Sequence, residues 1–178
     1  MKIEKGTSRI AIVGECATLK IPKLRLGLVI SGIKDAIERH RLPKYLTGNE
    51  KNTLSLANHL LRGWLENWRE WRLSKEIAGT VVPTRFSIFG IINLQDTAPN
   101  VDSLEYGDVY IALSKIIDKD LVFKHGGHTL PESENFGMHD GKLKIRDYGE
   151  LGLDVLLKNY GKQLQQALDE TMAKIRTR

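Results

Sequence analysis

Asn135 and Asp147 are the residues whose types and spacing most directly suggest chemistry. They lie twelve positions apart in NFGMHDGKLKIRDYG, Asn135–Gly149, one at the end of a loop and one just past a hairpin. An amide oxygen and a carboxylate are hard donors of the kind Mg²⁺ prefers. So placed, they can converge on one ion, and that ion would bridge nucleotide phosphates. The alternative is an ordinary Asp-Gly hairpin whose Asn and Asp are surface residues. Glu132 and Glu134 stand just before Asn135, with nothing in the sequence to bring either to a substrate hydroxyl. His125, His128 and His139 invite a different metal reading. Cys16 is remote and there is no HExxH or CxxC pattern, so they form no zinc motif. His125 and His128 read as loop residues, or as a pH-sensitive contact near the phosphate site.

The same stretch resembles the protein-kinase-like superfamily, including its atypical and aminoglycoside-kinase-like members. Asn135 matches the catalytic-loop Asn, Asp147-Tyr148-Gly149 matches the metal-binding Asp-Phe-Gly, and DGKLKIRD reads like the hairpin between them. The resemblance implies ATP and Mg²⁺ as cofactors, with Asn135 and Asp147 as metal ligands. It implies that Lys20, in ATLKI, is the third-strand lysine that holds phosphates; a solvent-facing strand lysine is the other reading. Helix 54–77 would stand as helix C, with Glu70 spaced to be its ion-pair glutamate and Glu66 and Glu76 as rivals. A surface role is the simpler expectation for any one of the three. The hinge that meets adenine would fall near Gln95–Ala98. The catalytic Asp is missing: five before Asn135 is Leu130, seven before is His128, and aligning His125-Gly126-Gly127 puts Gly127 in its place. His128 is the candidate left. The glycine-rich loop is reduced to Gly6 and Gly14, and only 29 residues follow Gly149.

The elements that must position these residues follow from periodicity. Residues 8–13, RIAIVG, and 17–21, ATLKI, read as a strand hairpin around Gly14-Glu15-Cys16. Leu24–Arg41 has helical spacing and ends at Pro43; residues 44–52 read as a polar turn. Helix 54–77 carries Ala57, Leu60, Leu61, Trp64, Leu65, Trp68 and Trp71 at helical spacing, capped by Asn52 or Thr53 and closed by Gly79. Its tryptophan stripe is expected to pack on the core, with an exposed partner-binding face as the alternative. At 100° per residue Glu70 lies well away from that stripe. Strands are predicted at 84–89 and 91–95, a helix at 104–117, a loop at 124–135, short strands at 136–138 and 142–146, and a last helix over 151–176, with Gly152 and Gly161 as weak points. The class is α+β: a small antiparallel N-terminal sheet with a Trp-rich helix (residues 1–98), then a short, truncated helical lobe (99–178).

The chain has 178 residues, 41% of them apolar and 28% charged, with a formal net charge of +5. That balance belongs to a globular chain of one domain. No apolar run reaches bilayer length, the N-terminus does not read as a signal peptide, and one cysteine allows no internal disulfide. A cytoplasmic protein that does not enter the membrane is expected. Three readings result. The first is a catalytically impaired pseudokinase that binds nucleotide poorly or not at all and acts by binding a protein partner, a compact form that suits a phage or mobile-element product acting on a host factor. The second is an active ATP/Mg²⁺ phosphotransferase using Lys20, Asn135 and Asp147. The third is a nucleic-acid-binding module using the basic excess, for instance Arg62, Arg69 and Arg72, although no nucleic-acid motif is present.

Overall fold

Strand β1 (Lys2–Lys5) alternates charged side chains along a sheet edge, and β2 (Arg9–Val13) and β3 (Ala17–Pro22) carry the apolar runs beside it. The computed structural model describes residues 1–6, 8–47, 56–116, 132–149 and 153–177. With β4 (Thr84–Ile88) and β5 (Ile92–Asp96) these strands form one antiparallel sheet in the order β1-β2-β3-β5-β4. The register sets Lys20 opposite Ala11 on one side and Asn93 on the other. Strand β1 has no apolar pattern, so sequence reading passes over it; charged residues are a usual way to blunt an exposed edge.

Helix α1 (Leu26–Glu38) ends before His40, which takes a φ of 53°. Pro43 does not end that helix; it lies in the first turn of α2 (Leu42–Thr47), where a missing N–H costs nothing. The polar turn predicted at 44–52 is therefore helical as far as Thr47, and the predicted Asn52 and Thr53 caps lie outside the described residues. Helix α3 (Leu56–Glu76) packs across β3, β4 and β5.

The face of α3 that meets the sheet corrects the sequence expectation. Among its described side chains and glycines the buried ones are Gly63, Glu66, Asn67, Glu70, Leu73 and Ser74. The tryptophan stripe lies roughly 130° round the helix from that face. Trp64 and Trp71 are only half-buried, and Trp68 is 39% exposed. The helix turns its polar face inward because the sheet presents polar partners: Asn67 donates from Nδ2 to the carbonyls of Lys20 (3.2 Å) and Gly90 (3.0 Å), and Asn93 donates to the carbonyl of Asn67 (2.6 Å).

After β5 come α4 (Tyr106–Ser114), a 3₁₀ turn at Ser133–Asn135, the hairpin β6 (Phe136–His139) and β7 (Lys142–Ile145), and α5 (Leu153–Arg176). The hairpin turns on Asp140 and Gly141, both at positive φ (52° and 73°), as a two-residue type I′ turn requires. Helix α5 buries Leu153, Leu156, Leu157, Leu164 and Leu168 along one stripe. They join Leu104, Val109, Leu113, Phe136, Leu143, Ile145 and Tyr148 in the apolar core. Residues just before β4 dock on the hairpin: Ile145 donates its N–H to Thr80, and Val82 donates to Ile145. The architecture is α+β, and among the described residues no helix is long and apolar enough to cross a membrane.

Candidate functional site

The β6–β7 pairing carries Asn135 to Asp147. Phe136 pairs with Ile145, and one step further the N–H of Arg146 bonds the carbonyl of Asn135 at 2.8 Å. Residues twelve apart in the chain therefore sit on neighbouring strand ends, and both line one cavity of about 800 Å³. Lys20 lines the same cavity from β3, and Gln95–Asn100 form part of its wall.

Lys20 is buried and donates from Nζ to Glu70 Oε1 at 2.9 Å and to the carbonyl of Arg146 at 2.9 Å. The reading of Lys20 as a solvent-facing strand lysine is thus overturned. Among the three helix carboxylates, Glu70 (0% exposed) is the partner of Lys20. Glu66 is buried too and accepts from Ser8 Oγ and from Arg62 Nε at 2.7 Å. Glu76 faces outward to Arg72 and Lys158. The surface role expected for these glutamates holds only for Glu76, because the polar face of α3 is the inward one.

Arg9 is the residue that sequence reasoning missed. It heads β2, on the inward side with Ala11 and Val13, and its guanidinium fills the space between α3 and Asp147. Nη1 lies 2.8 Å from Glu70 Oε1 and 3.2 Å from Asn67 Oδ1, Nε lies 3.4 Å from Glu66 Oε2, and Nη2 bonds Asp147 Oδ1. An arginine at an inward position of an otherwise apolar strand is the signal that was available. Burial alone would lower its pKa, but Asp147, Glu70 and Glu66 outweigh that and raise it. Desolvation pushes the Asp147 carboxyl up, yet Arg9 and then Lys20 hold it well below the usual range. Burial raises Glu70 against the pull of Arg9 and Lys20. Glu70 Oε2 is buried with no hydrogen-bond partner.

The residues after Asp147 lock this geometry. Tyr148 is fully buried and donates its hydroxyl to the carbonyl of Val82 at 2.8 Å, with Thr84 Oγ1 at 3.1 Å, so the polar tip is satisfied inside the core. Gly149 lies so close to α3 that a Cβ there would come within 2.5 Å of the Glu66 carbonyl oxygen. The cavity wall at Gln95–Ala98 is tied down as well: Asp96 and Thr97 donate their N–H groups to Pro83 and Cys16. Asp96 also accepts from Arg85 and from His139 Nε2 (3.0 Å). His139 is therefore a clasp between the hairpin and β5.

Glu132 and Glu134 line the cavity; His125, His128, Gly127 and Leu130 lie outside the described residues. The arginines of the nucleic-acid reading are largely engaged: Arg62 with Glu66, Arg72 with Glu76 and Asp154, while Arg69 reaches towards the carbonyl of Gly149 at 3.5 Å. Burial lowers the pKa of Arg69.

The fit of Mg²⁺ turns on Asp147. Asn135 and Asp147 are the right donor types, and Asp147 is ionised and half-exposed. Its Oδ1, however, already holds a guanidinium, and Arg9, Lys20 and Arg62 balance the charges of Glu66, Glu70 and Asp147 one for one. A dication brought to Asp147 would meet the repulsion of Arg9, so the pair does not fit Mg²⁺ with Arg9 in place.

No family model, curated protein or solved structure matches the chain.

Proposed function

We propose that the chain is a minimal kinase-like protein whose cleft accepts a nucleotide but does not transfer phosphate, and which acts by binding a protein partner. The observation that carries the reading is the Lys20–Glu70 pair beside Asp147, with Lys20, Asn135 and Asp147 lining one cavity and Arg9 bridging Glu70 and Asp147. A lysine on a third strand paired to a helix glutamate, opposite an Asp and an Asn, is the phosphate and metal apparatus of protein kinases. The cavity volume suits a nucleotide-sized ligand. The apparatus is altered where chemistry needs it: a guanidinium stands on the metal-binding carboxylate, and no Asp occupies the base position before Asn135. Support for a protein partner comes from the surface. Phe86, Ile88, Phe89 and Ile91 are exposed around the β4–β5 turn, whose Phe89 carbonyl accepts from Trp64 Nε1, and Trp68 lies one helical turn from Trp64. Apolar side chains grouped in this way commonly mark an interaction face.

The intact Lys20–Glu70 bond also favours a second reading, an active phosphotransferase, because phosphoryl transfer depends chiefly on positioning and charge. Incubating the purified protein with γ-labelled ATP, Mg²⁺ and a generic protein substrate separates the two. The expected result is a rise in Tm with ATP and no labelled product. Transfer that disappears in Asp147→Ala would establish the second reading instead.

A further inference from the structure

We propose that this cleft binds a nucleoside polyphosphate without a divalent metal, with Arg9 in the place and role of the cation. The inference rests on the nucleotide reading above and deepens it. In a metal-dependent site the ion stands between carboxylate and phosphates and cancels charge there. Arg9 already stands against that carboxylate. Its Nη2 bonds Asp147 Oδ1, while Nη1 and Nε reach Glu70 (2.8 Å) and Glu66 (3.4 Å) on α3. A side chain tethered in the sheet thus joins the strand end that carries Asp147 to the helix that carries the lysine's partner.

Two further features fit a polyphosphate that arrives without metal. Charge within the cluster is balanced, three cations against three carboxylates, so the cleft needs no added cation to relieve Asp147. Anion donors are also at hand. Lys20 spends two of its three N–H groups on Glu70 and the Arg146 carbonyl and keeps one for the cavity, while Lys5 and Arg146 line the same space. Gly6 and Ser8 also line the cavity wall, beside Arg9. Holding Arg9 takes much of its donor capacity, so it acts on the ligand by neutralising Asp147 while Lys20 makes the direct contact.

The test is calorimetric titration of the wild-type protein with ATP, once in EDTA and once in Mg²⁺. Equal affinity in the two buffers, within about two-fold, is the expected result; binding at least about ten-fold tighter in Mg²⁺, a difference of about 1.4 kcal/mol, would overturn the role given to Arg9 while leaving the nucleotide reading intact. No heat and no Tm shift in either buffer would overturn the nucleotide reading itself. Arg9→Gln is the complementary variant: binding in EDTA should weaken and a Mg²⁺ requirement should appear, and a variant as indifferent to metal as the wild type would count against the proposal. Because the wild-type titration needs no variant, poor folding of Arg9→Gln leaves the decision to it.

Discussion

Between the sheet and α3 the buried polar side chains are Arg9, Thr18, Lys20, Glu66, Asn67, Glu70, Ser74, Thr84, Asn93 and Gln95, with Leu73 beside them. Between the β6–β7 hairpin, α4 and α5 they are Phe136, Leu143, Ile145, Leu153, Leu156, Leu157, Leu164 and Leu168. The second region is an ordinary apolar core, held by burial that is roughly proportional to area and indifferent to direction. The first is held by directional bonds between charged groups whose removal from water is costly, and ion pairs of that kind add little net stability over a hydrophobic replacement. Arg9, Lys20 and Glu66 of this network also line the cavity that Asn135 and Asp147 share. The Asp147-Tyr148-Gly149 segment joins the two: Asp147 in the charged network, Tyr148 in the core, Gly149 against the backbone of α3.

The largest expected effect breaks the charged region from one side. Glu70→Ala leaves Arg9 and Lys20 without their shared buried partner and is expected to cost about 3–5 kcal/mol in urea unfolding. The quadruple variant Arg9→Met, Lys20→Met, Glu70→Met, Asp147→Asn removes the two cations together with Glu70 and Asp147 and leaves Glu66 with Arg62. It should return to within about 1 kcal/mol of wild type while losing any ATP-induced rise in Tm. A quadruple variant as unstable as Glu70→Ala would mean that the network is structural after all.

A comparable loss in the apolar region should behave differently. Leu164 is fully buried on α5, and Leu164→Ala is expected to cost about 2–5 kcal/mol through the cavity it leaves. Its ATP-induced change in Tm should match that of wild type. If the nucleotide effect disappeared as well, the two regions would be one cooperative unit as far as the ligand is concerned.

What could be read from the sequence divides along the same line. In the apolar region local signals and tertiary structure agree: Asp140-Gly141 demanded a type I′ hairpin, and the leucine stripe of 151–176 demanded an amphipathic helix. The structure has both, within a residue or two. In the charged region they conflict. Helical periodicity placed the tryptophans of α3 inward because they are the largest apolar side chains, and the geometry that sets Glu70 far from them counted against its pairing with Lys20. The inward face is instead chosen by the partners on the sheet, Lys20, Asn93 and Arg9, which lie tens of residues away in the chain and leave no mark on a local pattern. Lys20 and Asp147 were read through their neighbours ATLKI and DYG; Arg9 left only the weak signal of one arginine in an apolar strand, and its role shows once its three carboxylates are in place.

The smallest effect tests that inversion directly. Trp68 is 39% exposed, and its ring pairs with that of Trp71, with centroids 5.2 Å apart and planes tilted by 46°. A tilted aromatic pair at a half-open position contributes about 0.5–1.5 kcal/mol beyond simple burial, whereas a tryptophan in a closed core costs about 3–5 kcal/mol when cut to alanine. Trp68→Ala is therefore expected to destabilise by about 1 kcal/mol in urea unfolding and to leave ATP affinity unchanged, because the residue lies on the side of α3 away from Glu66 and Glu70. A core-sized loss would show that the tryptophan face is covered in solution. The buried face of α3 would then extend most of the way round the helix, and the contrast between a charged inner face and a free apolar outer one would fail.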